Sequence, residues 1–211
     1  IDIFLHEKIQ DEVDWSMGLL QVKRLYRSRG FPDALSTTPV PHPSGSFWRG
    51  NYERSLVALT LPSGLLVRLN RETGDVFDFL QNGGQLIGSP DAPGSLYKLF
   101  DGSGDFIGWK YESLANEVEI YDVDGVLNSI STRDERSIRI EHNINGFVSR
   151  VTDEKGRSLQ YTYDDRLRPA MVTLPDGSAL VYTYQGGIDP GYMIWKAQFP
   201  DGRYKTYHYN F

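Results

Sequence analysis

The most constraining feature of this chain is a repeat. Tyr121, His142, Tyr163 and Tyr184 follow one another at intervals of 21 residues, Gly125 and Gly146 keep the same interval, and so do Gly156 and Gly177. Gly202 falls 25 residues after Gly177, because Gly186-Gly187-Ile188-Asp189-Pro190-Gly191 lengthens one loop. A period of this size means that each unit is one supersecondary element that cannot bury its own apolar face and must stack on its neighbours. The element itself is a hairpin. Glu117-Val118-Glu119-Ile120-Tyr121, Ser137-Ile138-Arg139-Ile140-Glu141 and Leu159-Gln160-Tyr161-Thr162-Tyr163 alternate in character with period two, as strands with two different faces do. Asp124-Gly125, Asn145-Gly146, Lys155-Gly156, Asp176-Gly177 and Asp201-Gly202 place glycine where hairpin turns demand a positive φ. The reading is an all-β fold: an antiparallel β-hairpin repeat array over 114–211, preceded by a non-repetitive N-terminal β cap segment over 1–113.

The cap segment has no clean period. Ile9, Val13 and Met17 have weakly helical spacing, but Leu20-Gln21-Val22-Lys23-Arg24-Leu25-Tyr26 mostly alternates, so strand is the stronger reading. Asp14-Trp15-Ser16-Met17-Gly18 reads as a break. Arg29 to Gly45, with its cluster Pro39-Val40-Pro41-His42-Pro43, and Gly83 to Gly94 read as flexible loops. Trp15, Trp48 and Trp109 are expected to carry packing together with the repeat tyrosines.

Tyr161-Thr162-Tyr163-Asp164-Asp165-Arg166-Leu167-Arg168 followed by Val172-Thr173-Leu174-Pro175-Asp176-Gly177 resembles the signature of the RHS (YD-repeat) family. Arg150 to Ser158 resembles a second copy of the linking segment, and Phe199-Pro200-Asp201-Gly202-Arg203 through Tyr209 a third. Glu7 to Trp15, Val22 to Ser28 and Gly45 to Leu56 resemble the non-repetitive stretch that often precedes the repeats. The departures are Leu167 in place of the signature glycine, Ile140-Glu141-His142 in place of the tyrosine pair, and Gln185 in place of the aspartate after Tyr184. The closing segment of the family, with its D-P-x-x-G type motif, is missing, so Asp189-Pro190 does not read as a self-cleavage site.

The resemblance implies an open N-terminal segment of a larger β-shell of the kind that encloses or scaffolds a toxin-like cargo in a secreted or cell-envelope-associated bacterial delivery system. Its expected partners are the remainder of that shell and the enclosed cargo. Starting at Ile1 rather than methionine, the chain reads as a processed or excised piece. Strand edges around Ile1 and Phe211 are expected to promote self-association. Structural repeat positions are Tyr121, His142, Tyr161, Tyr163, Tyr182, Tyr184, Gly125, Gly146, Gly156, Gly177 and Gly202. The series Tyr121, Tyr161, Tyr163, Tyr182, Tyr184, Tyr207 and Tyr209 either packs on the sheet, each Tyr-x-Tyr pair laddering with its neighbour's, or forms a carbohydrate-binding stripe. Tyr163 and Tyr184 are the possible glycan contacts in a cell-surface carbohydrate- or protein-binding alternative.

Composition and motifs narrow the remaining classes. Hydrophobic residues make up 39% of the 211, which suffices for a core, and the net charge of -6 has the wrong sign for nucleic acid. No long apolar run or leader pattern reads as membrane insertion or a signal peptide. There are no cysteines, hence no disulfide or thiolate metal site. Twenty-eight carboxylates invite a glycosidase reading, yet Asp124, Asp153, Asp176 and Asp201 recur at turns, where aspartate bonds local backbone. Asp101, Ser103, Asp105 and Glu112 echo a calcium loop, but position six is Phe106 where glycine is required. His6, His42, His142 and His208 lack ligand spacing, and no hydrolase elbow, dinucleotide fingerprint or P-loop is present. The expectation is a non-enzymatic chain with no catalytic residues, no metal site and no cofactor.

Overall fold

The computed structural model describes residues 7–31, 47–185 and 193–209. Among them every regular element is a strand. They fall into two compact units: one from the described residues of Ile1–Pro32, Pro41–Asn51 and Glu141–Phe211, the other from those of Tyr52–Ile140. His6, His42, the proline cluster, the Gly186–Gly191 loop, Asp189-Pro190 and both chain ends lie outside the described residues.

In the first unit, β1 (Ile9–Met17), β2 (Leu20–Arg27) and β3 (Trp48–Gly50) form an antiparallel sheet. The weakly helical spacing in β1 is overridden by pairing along its whole length with β2. The expected break at Asp14 is a bulge, with Val13 opposite Lys23 and Trp15 opposite Val22. The extra residue re-aims one side chain without ending the strand, and that side chain is Asp14. Trp15 is therefore only half-buried, while Trp48 is fully buried. The same unit holds the repeat strands β13 (Val148–Asp153), β14 (Ser158–Tyr163), β15 (Pro169–Thr173), β16 (Ala179–Tyr184), β17 (Ile194–Gln198) and β18 (Tyr204–Thr206), each paired antiparallel with the next. Val151 lies opposite Leu159 and Val172 opposite Leu180, and all four are buried.

The second unit repeats this plan. β4 (Ser55–Leu61), β5 (Gly64–Asn70), β6 (Val76–Asn82) and β7 (Gln85–Gly88) form a meander with Leu56, Val67, Leu69 and Phe79 on its buried face. Its ladder is β8 (Gly94–Phe100), β9 (Phe106–Ser113), β10 (Val118–Tyr121), β11 (Leu127–Ser131) and β12 (Ser137–His142), within which the chain passes into the first unit's residues. One expectation changes here. Gly83 to Gly94 is not one loop, because Asn82 pairs with Gln85 around a two-residue turn and β7 follows. Strand pairing in the ladder runs from β8 and β9 on into β10, across residues 113 and 114. A Cβ on Gly94 would stand 2.2 Å from the Glu112 carbonyl oxygen, so only glycine permits the start of β8.

The 21-residue period has a physical origin. Turns open at Asp122, Thr132, Asn143, Asp153, Asp164 and Leu174, each with the first N–H bonded to the fifth carbonyl and the fourth N–H to the first carbonyl. The steps between them alternate between 10 and 11 residues. The register shifts at Tyr121, Tyr163 and Tyr184 each mark one bulge residue per pair of strands. The repeat is thus two strands, two turns and a bulge.

Candidate functional site

The first turn residue does the local chemistry. Asp122, Asn143, Asp153 and Asp164 each accept the N–H groups of the residues two and four positions on. Where Leu174 and Phe199 open the turn, Asp176 and Asp201 at the third position accept from Ser178 and Arg203. Asp153, Asp176 and Asp201 therefore act as turn residues, whereas Asp124 only donates its N–H to Asp122, whose capping role the sequence reading missed. Burial opposes ionisation of Asp153 and Asp164, but the arginine four residues on and the turn amides outweigh it and hold both carboxyls low. Asp101 likewise bonds Ser103 N–H and Asp105 N–H, while Glu112 pairs with Lys110 on β9. The calcium-like residues are thus spent on a turn and a strand, and among the described residues no acid or histidine cluster suits a metal ion.

Tyrosines lock the other end of three hairpins, β13–β14, β15–β16 and β17–β18. Tyr163 Oη donates to the Val148 carbonyl, Tyr184 Oη to that of Pro169 and Tyr209 Oη to that of Ile194, all at 2.7 Å and always 15 residues back. A turn closes one end of the strand pair and a phenol the other. The expected ladder between tyrosine pairs does not form: β15 separates Tyr161 and Tyr163 from Tyr182 and Tyr184. Tyr163 stacks instead on Phe147, centroids 5.3 Å apart, and Arg168 lies over the Tyr184 ring at 4.3 Å. The possible glycan contacts Tyr163 and Tyr184 are half-buried with their hydroxyls committed to backbone. Tyr121 departs from the pattern, fully buried with its hydroxyl on Glu119. His142 is half-buried at the end of β12. Gly125, Gly146, Gly156, Gly177 and Gly202 all take positive φ at the fourth turn position. Leu167 takes it too, at 62°.

Each unit joins its non-repeat sheet to its ladder through a buried arginine set. In the first, Arg24 Nε and Nη2 donate to Asp14 at 2.5 and 2.9 Å, Tyr182 Oη donates to Asp14 at 2.7 Å, and Arg24 Nη2 also reaches Tyr207 Oη at 3.0 Å. The guanidinium carbon sits over Trp48, Tyr182 and Tyr207, 4.7, 4.9 and 5.4 Å from their centroids. These faces receive the charge that Nη1, without a hydrogen-bond partner, does not share with an oxygen. Burial pushes the Tyr182 phenol well above its ordinary range. In the second unit, fully buried Glu119 is clasped by Arg54 and by Arg71 and accepts from Tyr121, while Arg54 also meets Glu72 and Glu117. Burial opposes ionisation of Glu119, but the two guanidiniums overcome it and keep its carboxyl low. Sequence reasoning found neither set, apart from the tyrosines and Trp48.

A concavity lies within the first unit, beside β18. It is a half-open groove of about 770 Å³ between Gln10, Glu12, Tyr26 and Trp48 on one side and the run Lys205 to Tyr209 on the other. Trp48 Nε1 donates to Tyr209 Oη at 2.9 Å, Tyr26 packs on Trp48 with centroids 5.2 Å apart, and Lys205 pairs with Glu12. His208 is exposed at the groove.

No curated protein matches the chain. The family model described as RHS repeat matches residues 145–179, which span the Asn145-Gly146 turn, β13, β14, β15 and the start of β16. That stretch holds the Tyr163 lock on Val148, turns opening at Asp153, Asp164 and Leu174 at steps of 11 and 10 residues, and the YD pair Tyr163-Asp164, so it is this segment of the chain that is an RHS repeat.

Proposed function

We propose that this chain is a non-enzymatic wall segment of an RHS-type β-shell, one that encloses or scaffolds a toxin-like cargo in a secreted or cell-envelope-associated bacterial delivery system. The supporting observation is the recurrence within the ladder: the hairpins β13–β14, β15–β16 and β17–β18 are each closed by a turn at one end and a tyrosine hydroxyl at the other, so these units add by the same contacts. The disposition of the acids points the same way. The buried carboxylates Asp14 and Glu119 are each bound to arginine and phenol within their own unit. Among the described residues no helix is long and apolar enough to cross a membrane.

Light scattering and limited proteolysis of the chain alone and fused to its native downstream sequence test the reading. A fused protein that is monomeric and far more protease-resistant than the chain alone supports it; unchanged resistance overturns it. A binding module is the second reading, favoured by the groove beside β18. Binding on a glycan array that is lost in Tyr163→Ala or Tyr184→Ala while the fold persists would move it ahead.

A further inference from the structure

We propose that the groove beside β18 is a socket for one added β-strand carrying aliphatic side chains three residues apart, which cover Tyr209 and Tyr207. The inference rests on the wall-segment reading and names the contact by which that wall grows. The chain contains two completed examples. Tyr161 lies opposite Val172 and Tyr163 opposite Pro169 on the following strand. Tyr182 lies opposite Ala197 and Tyr184 opposite Ile194. Each tyrosine pair is two residues apart, but its covering pair is three apart, because the bulge puts one extra residue into the pairing.

Tyr207-His208-Tyr209 is the next such run, with Tyr209 already bonded to the Ile194 carbonyl as Tyr163 and Tyr184 are bonded to theirs. Among the described residues no strand pairs the outer edge of β18. Tyr207 N–H donates inward to the Trp195 carbonyl. Antiparallel alternation therefore turns the backbone groups of Thr206 outward, where an added strand would bond them. The groove lies against this edge, with aromatic surface from Tyr26 and Tyr207 inside and the Lys205–Glu12 pair at its rim. Backbone bonds supply the attachment and the two aliphatic positions supply the choice of partner.

The test uses the peptide Arg-Pro-Ala-Met-Val-Thr-Leu, which copies residues 168–174, added free and also tethered behind Phe211 by a glycine-serine linker that raises its effective concentration to roughly millimolar. The expected result is slowed amide exchange at Thr206. A peptide carrying Pro169→Asp and Val172→Asp should bind at least about tenfold more weakly. Thr206→Pro in the protein should remove binding while leaving the circular dichroism spectrum unchanged, since an outward-facing edge amide tolerates proline. Equal binding of both peptides, protection away from residues 204–209, or no protection even when tethered would each overturn the socket. Protection of Thr206 without peptide, tracking self-association, would overturn the added-strand assignment in favour of a second copy. A fused downstream sequence that confers protease resistance while the tethered peptide leaves Thr206 unprotected would overturn the socket alone and spare the wall reading.

Discussion

The two units solve one problem with different chemistry. Each must hold a short non-repeat sheet against a ladder, and each buries arginine to do so. In the first unit the buried arginine is neutralised inside the non-repeat sheet, Arg24 on β2 by Asp14 in the β1 bulge, and the ladder meets that pair with the neutral phenols Tyr182 and Tyr207. The ladder's ion pair to this sheet, Lys205 with Glu12, stands at the exposed rim. In the second unit the ion pair itself joins sheet to ladder, because Arg54 and Arg71 flank the non-repeat strands while Glu119 sits on β10. The difference teaches what a repeat strand can do unaided. Ordinary Tyr-x-Tyr strands serve the first unit without alteration, whereas the second needs a carboxylate at 119 and diverts Tyr121 from hairpin locking to hydrogen-bonding it.

The largest test of this contrast removes the two acids. Glu119→Ala leaves two guanidiniums buried with incomplete compensation, and we expect a loss of about 5 kcal/mol from the second unit, against about 3 kcal/mol from the first for Asp14→Ala. Urea unfolding followed by hydrogen exchange in each unit measures both, and equal losses would break the distinction. The pH dependence sharpens it. The folded carboxyl of Glu119 lies below its ordinary value of 4.5, so its contribution is complete above that value and is lost as pH falls through the folded value. The urea midpoint of the second unit should therefore decline in acid more steeply in the parent chain than in Glu119→Ala. A slope unchanged by the substitution would remove Glu119 as the acid-sensitive group.

These anchoring sets explain the limits of the sequence reading. The ladder was legible because its causes are local: a turn residue, a positive-φ glycine and alternation within six residues all fall inside one 21-residue window. The anchors are not local. Tyr182 meets Asp14 across 168 positions and Arg24 meets Tyr207 across 183, and the bulge that aims Asp14 inward has no marker in its neighbours. The tyrosine ladder was misjudged for a related reason. Period two places Tyr161 and Tyr163 on one face, but a repeat of two strands puts the next pair two strands away, beyond contact across β15. The groove was half legible, through Tyr207 and Tyr209 but not through Gln10, Glu12 and Tyr26, which approach only after the non-repeat sheet has packed.

At about 1 to 2 kcal/mol the tyrosine hydroxyls offer a second comparison. Tyr184→Phe removes a neutral hydrogen bond to a half-buried carbonyl and should cost about 1 kcal/mol, while Tyr121→Phe removes one to a buried carboxylate and should cost about 2 kcal/mol. Thermal melts of the two variants give the order. A larger loss at Tyr184 would mean that hairpin locking outweighs the buried ionic anchor.

The smallest expected effect runs in the stabilising direction. Leu167 occupies the fourth position of the Asp164 turn with φ at 62°, where Gly146, Gly156 and Gly177 stand in the neighbouring turns. A branched side chain in that left-handed region costs about 1 kcal/mol, and the greater freedom that glycine brings to the unfolded chain offsets part of the gain. Leu167 is 45% exposed, so little packing is lost with its side chain. Leu167→Gly should therefore stabilise the first unit by about 0.5 kcal/mol, and Gly146→Ala in the same unit should destabilise it by about 1 kcal/mol. Opposite signs in the two urea midpoints would show that the turns accept substitution only along the glycine axis. A destabilising Leu167→Gly would mean that the leucine side chain holds a contact worth more than the backbone strain it imposes.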